Sequence, residues 1–137
     1  MRKLSLFTTI LLFVSQFLLA QKDYKVVFDL TSGDTLSQQT AIRWVNEVIK
    51  NEPTAQVEVV MFGKGLPLVI KDKSALANDV TSLAINKNVA FKVCAIAMAN
   101  QKIDKSQLLT GVQIVPDGIY EIVSKQKEGW GYVKVAH

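Results

Sequence analysis

The sequence of 137 residues is poor in the residues on which most catalytic and metal sites depend. Histidine occurs once, as the final residue His137, and cysteine occurs once, as Cys94. A single histidine excludes catalysis by paired histidines, and a terminal residue such as His137 usually frays. No set of Cys, His and carboxylates has the spacing of a metal site. One cysteine cannot form an internal disulfide, so its thiol is shielded, paired with another chain, or reactive.

Two further absences narrow the class of protein. Neither GxGxxG nor GxxxxGKS/T occurs, which argues against a flavin or nucleotide binder of flavodoxin-like design. The formal net charge is +4, and without Arg2 and Lys3 it falls to +2, from 14 Lys and Arg against 12 Asp and Glu. Charges this balanced and scattered do not form a binding surface for nucleic acid.

The first twenty residues have the layout of a secretory signal peptide. Arg2 and Lys3 give a basic start, an apolar run covers residues 4–19, and the small Ala20 precedes a polar residue. The competing interpretation is an uncleaved membrane anchor, but polar residues interrupt the run, which is about as short as a spanning helix can be. We therefore predict cleavage after Ala20, a periplasmic location, and one domain over residues 21–137 without stable membrane insertion.

Segments typical of strands alternate with segments typical of helices after the signal. The predicted strands are rich in β-branched and aromatic side chains and cover residues 24–30, 56–62, 89–93, 112–115 and 130–135. The predicted helices cover residues 36–50, 74–86 and 95–101, and a fourth runs from Asp117 to about residue 127. Asp34 or Thr35 is expected to cap the first helix and Asp117 the last. This alternation predicts an α/β/α layering with a mainly parallel sheet.

Cys94 is the main candidate for a functional residue. It lies where the third predicted strand ends, and in open parallel sheets ligands gather beyond the carboxyl ends of the strands. It also lies at the start of the next helix, where unpaired N–H groups favour an anion and therefore a thiolate. The alternative is a cysteine that packs as a small apolar side chain and is inert, which the apolar residues 95–97 support.

Further candidates lie close to Cys94 in the predicted sheet. Lys92 shares a strand face with Cys94, so its ammonium either supplies positive charge there or extends to solvent. Two other strand ends on the same edge are glycine-containing loops, which either line a small anion site or are ordinary turns. Their residues are Thr31, Ser32 and Gly33 in the first loop and Gly63, Lys64 and Gly65 in the second.

The second half of the chain carries a more specific signal. It contains a strand that ends in cysteine, a helix with Met98, the segment "LLTGVQIVPDG" before the next helix, and "QKEGWGY" before the last strand. The first half adds "VVFDL" and "VEVVMFGKG". Over residues 24–135 the chain resembles the DsrE/DsrF-like family, although Phe62 stands where many close relatives have histidine.

The resemblance implies a three-layer α/β/α domain with a five-stranded, mainly parallel sheet that assembles into trimers or hexamers. It also implies that Cys94 matches the persulfide-carrying cysteine of the sulfur-relay members, takes sulfur from a donor persulfide and yields it to an acceptor thiol, without metal or organic cofactor. The implied partners are sulfur donor and acceptor proteins or small thiols. The alternative function is a non-catalytic, oligomeric module that binds a small ligand, with Cys94 buried and inert.

Overall fold

The computed structural model describes residues 23–136, so the predicted signal peptide and His137 lie outside the described residues. Strands and α-helices alternate along this part of the chain. The elements are β1 (Lys25–Leu30), α1 (Thr35–Asn51), β2 (Gln56–Met61), α2 (Ala77–Ala84), β3 (Val89–Cys94), α3 (Ala95–Asn100), β4 (Gln113–Val115), α4 (Gly118–Lys127) and β5 (Gly131–Lys134). Two 3-10 segments, Gly63–Val69 and Lys105–Gln107, follow β2 and α3.

The five strands form one sheet in the order β4-β3-β2-β1-β5. Every pair of neighbouring strands is parallel, so the carboxyl ends of all five strands lie along one edge. Cys94 is the last residue of β3 at this edge and pairs with Val115 of β4. The predicted α/β fold with a five-stranded, mainly parallel sheet is confirmed.

The loop after β2 differs from its predicted form. An ordinary turn was one of the two interpretations for residues 63–65, but these residues begin a 3-10 helix of seven residues, Gly63–Val69. Gly65 explains how it packs, because a Cβ atom there would lie 2.1 Å from the carbonyl oxygen of Leu30. Only glycine permits this approach, which holds the segment against the end of β1.

The two faces of the sheet differ in what they bury. One face packs against α1, α2 and the first 3-10 segment in a large apolar core, whose largest fully buried side chain is Phe91. The other face is covered by α4 and has a small apolar cluster of Val27, Val60 and Ile122. It also carries the buried carboxylates Asp29 and Glu58. No helix within residues 23–136 is long and apolar enough to cross a membrane.

Candidate functional site

Cys94 lies where the carboxyl edge of the sheet meets the second helical layer. Its side chain is only 5% exposed, and α3 begins at the next residue. The first residue of α4 packs against it, because a Cβ atom at Gly118 would lie 3.2 Å from the Cβ of Cys94 and 3.2 Å from a ring carbon of Phe62. The Cys94 side chain is therefore enclosed by β3, the start of α4 and the Phe62 ring.

A cavity of about 480 Å³ opens beside Cys94. Its walls come from the loop after β2, from α3 and from the start of α4. The lining residues are Phe62, Gly63, Lys64, Cys94, Ile96, Ala97, Asn100, Gln101, Asp117 and Ile119. A volume of this size is typical of sites for small molecules. Cys94 is thus a mostly buried residue that nonetheless borders an open, largely apolar cavity.

Two polar side chains of the cavity are engaged within the protein. Asp117 caps α4, since its Oδ1 accepts hydrogen bonds from the backbone N–H groups of Ile119 at 2.8 Å and Tyr120 at 3.3 Å. The side-chain amide of Gln101 donates to the carbonyl oxygen of Gly63, which ties the end of α3 to the loop after β2. The Asp117 contacts fix the start of α4, and the Gln101 contact joins two walls of the cavity.

Lys64 and Asn100 supply the remaining polar side chains. Within residues 23–136, neither the Lys64 ammonium nor the Asn100 amide has a hydrogen-bonding or ion-pair partner. The backbone of Lys64 is fixed, because its N–H donates to the carbonyl oxygen of Thr31 at 3.1 Å. Among the described residues, the cavity therefore has an unpaired ammonium on the loop after β2 and an unpaired amide at the end of α3.

The other predicted residues of the strand-end loops lie outside the lining of this cavity. Thr31 accepts a hydrogen bond from Lys134, and Ser32 donates one to the capping residue Asp34. Gly33 lies against the second loop, since a Cβ atom there would be 2.8 Å from the carbonyl oxygen of Lys64. The first loop, residues 31–33, thus supports the start of α1 and the second loop, of which Gly63 and Lys64 line the cavity.

Lys92 is bound in an ion cluster beneath α4 and does not line the cavity. Its ammonium lies 2.8 Å from Oε2 of Glu58 and 2.7 Å from Oε1 of Glu121, and Lys125 lies within 3.9 Å of both carboxylates. Burial lowers the pKa of Lys92, but the hydrogen bonds to Glu121 and Glu58 raise it above the ordinary value. Lys92 therefore pairs with the buried Glu58 and the half-buried Glu121 and does not supply its charge to the cavity.

Sequence reasoning missed Glu58, whose Oε1 atom is buried and has no hydrogen-bond partner in the described part of the chain. Burial raises its pKa to about 7 against the opposing effect of Lys92. Glu121 behaves differently: burial would raise its pKa, but the hydrogen bonds from Lys92 and Glu58 hold it below the ordinary value. The one available signal was the position of Glu58 as the single charged residue in the apolar strand "QVEVVM".

A second cluster lies at the same edge of the sheet, on β1 and β5. Asp29 accepts hydrogen bonds from the Tyr132 hydroxyl at 2.7 Å and from the Lys134 ammonium at 2.9 Å. The bond to Asp29 raises the pKa of Tyr132 to about 12. Lys134 also lies 5.8 Å from the centre of the Phe62 ring, so Phe62 stands between this cluster and the cavity of Cys94.

The fold and the site define an α/β protein whose third strand ends in a cysteine beside a small-molecule cavity. The model of the DsrE/DsrF-like family matches residues 25–135, and the chain belongs to that family. The search of curated proteins gave no match. Within residues 23–136, no group of three or more His, Cys, Asp and Glu residues is placed to hold a metal ion.

Solved structures that resemble this one include two proteins with the same fold. The protein of unknown function MTH1491 from Methanobacterium thermoautotrophicum is 30% identical, with a TM-score of 0.77 over 82% of this chain and 99% of that one. The ychN protein from E. coli is 13% identical, with a TM-score of 0.68 over 82% of this chain and 98% of that one. The first likeness supports the family and the fold, and the second supports the fold.

Proposed function

We propose that this protein is a sulfur carrier that holds a persulfide on Cys94 and transfers it to an acceptor thiol. The observation that carries the proposal is the position of Cys94: it is the one thiol of the chain, it ends β3, and it borders the cavity. Membership of the DsrE/DsrF-like family supports it, because the resemblance implies that Cys94 matches the persulfide-carrying cysteine of the sulfur-relay members. The chemistry requires a thiol that a donor can reach and no cofactor.

Intact mass after incubation with a persulfide donor tests the proposal. The wild-type protein is expected to gain one sulfur atom, to lose it to dithiothreitol, and to pass it to an acceptor thiol. Cys94→Ser is the matched control and gains nothing. If the wild type gains no sulfur and Cys94 in the native protein also resists alkylation, the carrier function is wrong. That result would favour the alternative of a ligand-binding module with an inert cysteine.

We further propose that the carrier is a homo-oligomer, a trimer or hexamer. Helix α4 supports this, because Tyr120 and Val123 are 72% and 42% exposed, and Ile119 at the rim of the cavity is 60% exposed. Neighbouring exposed apolar side chains of this kind mark interaction surfaces. Light scattering on the purified protein gives the mass directly, and Tyr120→Lys is expected to shift it toward the monomer. A monomeric wild type would contradict this part of the proposal.

The site of action that we propose is the periplasm. The support is the signal-like pattern of residues 1–20, which predicts export and cleavage after Ala20. Cell fractionation followed by sequencing of the amino terminus should find the protein in the periplasmic fraction, beginning at Gln21. Recovery in the cytoplasm with Met1 retained would overturn the location and leave the chemistry of Cys94 unaffected.

A further inference from the structure

The cavity beside Cys94 has one positive charge, that of Lys64, which no described residue pairs. Lys64 lines the cavity and has no hydrogen-bonding or ion-pair partner within residues 23–136. The other charged lining residue, Asp117, directs Oδ1 at the first N–H groups of α4, whose positive end offsets its charge. A ligand that enters this cavity thus meets an available ammonium and a carboxylate that is already engaged.

The sulfur donor must also be able to reach the sulfur atom of Cys94. Cys94 is 5% exposed, and Phe62, Ile96, Ala97 and Ile119 form apolar walls around it. A folded donor protein cannot bring its own cysteine to a residue this recessed unless it presents that cysteine on a slender segment. A small molecule fits directly, since about 480 Å³ lies in the range of small-molecule sites.

Taken together, the geometry points to a low-molecular-weight, carboxylate-bearing persulfide as the sulfur donor, with Lys64 as the residue that selects it. This inference rests on the proposed function and adds the class of donor. The carboxylate of the donor pairs with the Lys64 ammonium, Asn100 offers a further hydrogen bond, and the sulfur end reaches along the apolar walls to Cys94. Lys64 is here a specificity-determining residue and does not take part in the sulfur transfer.

The transfer step is balanced without an oxidant or reductant. The Cys94 thiolate attacks the outer sulfur of the donor R–S–SH and forms a new S–S bond. The S–S bond of the donor breaks, and R–S⁻ leaves with the electron pair, so that Cys94 becomes Cys94–S–SH. The outer sulfur keeps its proton, and the thiol product R–SH forms when the leaving thiolate is protonated by water.

Rates of Cys94 persulfidation with three small donors of different charge test this inference. The probes are the persulfides of glutathione, which carries carboxylates, of 2-mercaptoethanol, which is neutral, and of cysteamine, which is cationic. We expect the glutathione donor to react fastest at low salt, and its advantage to shrink as salt screens the ion pair. The variant Lys64→Met should reduce the ratio of the glutathione rate to the mercaptoethanol rate about fivefold, the upper end for an exposed ion pair.

Two further variants separate the charge of Lys64 from its packing. Lys64→Arg keeps the charge and should restore most of the ratio. Lys87→Met removes the same charge at an exposed position in the turn before β3, at the opposite edge of the sheet from Cys94, and should leave the ratio unchanged. If the three donors react alike, or if Lys87→Met acts as Lys64→Met does, the role of Lys64 is wrong.

The same experiment separates failure of the inference from failure of the proposed function. If Cys94 gains sulfur only from a protein persulfide, such as that of a cysteine desulfurase, the carrier function stands and the small-molecule donor is wrong. If Cys94 gains sulfur from no donor of either kind, the carrier function itself is wrong. A gain of sulfur from glutathione persulfide that depends on the charge of Lys64 supports both.

Discussion

The two faces of the sheet show two ways of covering a set of parallel strands. Under α1 and α2, the strands present an apolar surface in which Leu30, Val57 and Phe91 are almost completely buried. Under α4, the same strands present Asp29, Glu58 and Lys92 beside only a small apolar cluster. We conclude that the first face supplies most of the stability of the fold. Buried ion pairs such as those of the second face contribute little net stability.

The largest expected effect is on the apolar face. Phe91→Ala removes a fully buried ring and leaves a cavity, so the free energy of unfolding should fall by about 4 kcal/mol. The matched pair is Ile42→Ala on α1 and Ile122→Ala on α4, both 6% exposed, for which we expect losses of about 3 and about 2 kcal/mol because the cluster around Ile122 is small. Urea denaturation measures both. Equal losses would mean that the two faces stabilise the fold to the same degree.

The next largest expected effect is a pH dependence of the free energy of unfolding, which arises from Glu58 on the polar face under α4. The pKa of Glu58 is raised from 4.5 to about 7, so between these values the folded protein retains a proton that the unfolded chain has released. The free energy of unfolding should therefore fall by roughly 3 kcal/mol as the pH rises from 4.5 to 7, and the penalty stays above pH 7. Lys92, Glu121 and Lys125 face Glu58 from β3 and α4.

Glu58→Gln isolates this contribution, since it removes the titrating group and keeps the size of the side chain. Denaturation curves at pH 5 and pH 8 should differ clearly for the wild type and much less for Glu58→Gln. Glu47→Gln is the matched control, because Glu47 is exposed on α1, and it should leave the wild-type pH dependence in place. A pH dependence that persists in Glu58→Gln would show that other groups cause it.

The contrast between the faces also explains what the sequence could predict. The strands and the position of Cys94 follow from local patterns: a short run rich in β-branched and aromatic residues identifies each strand, and parallel strands place their carboxyl ends on one edge. The ion cluster does not follow, because Glu121 reaches Lys92 from 29 positions further along the chain. The sequence pattern around an acidic residue in a strand is the same whether a helix covers that face of the sheet or solvent does. The burial of Glu58 could therefore be predicted only if the packing position of α4 were known.

The candidate site was likewise predictable in part. The sequence predicts that both glycine-containing loops lie at the edge of the sheet where Cys94 lies. Their separate roles depend on the path of the 3-10 segment Gly63–Val69. Gly63 and Lys64 line the cavity because that segment turns toward α3, where Gln101 donates to the Gly63 carbonyl. Residues 31–33 instead contact the start of α1 and the neighbouring loop. Which of the two loops lines the cavity therefore depends on tertiary contacts between segments that are distant in sequence.

The smallest expected effect on stability is at Gly118, where α4, the helix that covers the polar face, contacts Cys94. In Gly118→Ala, the new methyl group presses on the Cβ of Cys94 and on the Phe62 ring, at 3.2 Å from each. Overpacking of this kind should lower the free energy of unfolding by about 1 kcal/mol, since the strand fixes Cys94 while the ring can shift slightly. Alkylation of Cys94 in the native protein should slow, because the methyl group and the displaced ring narrow access to the sulfur.

Gly131→Ala provides the comparison, because its Cβ atom would meet only the Lys25 carbonyl oxygen, at an ordinary 3.5 Å. This variant should leave both stability and alkylation close to the wild-type values. If Gly118→Ala also leaves the alkylation rate unchanged, then α4 does not control access to Cys94, and the polar face acts only as support for the site. If Gly118→Ala slows alkylation but barely changes the free energy of unfolding, then the start of α4 controls access to Cys94 without contributing much to the stability of the fold. That stability then comes mainly from the apolar face.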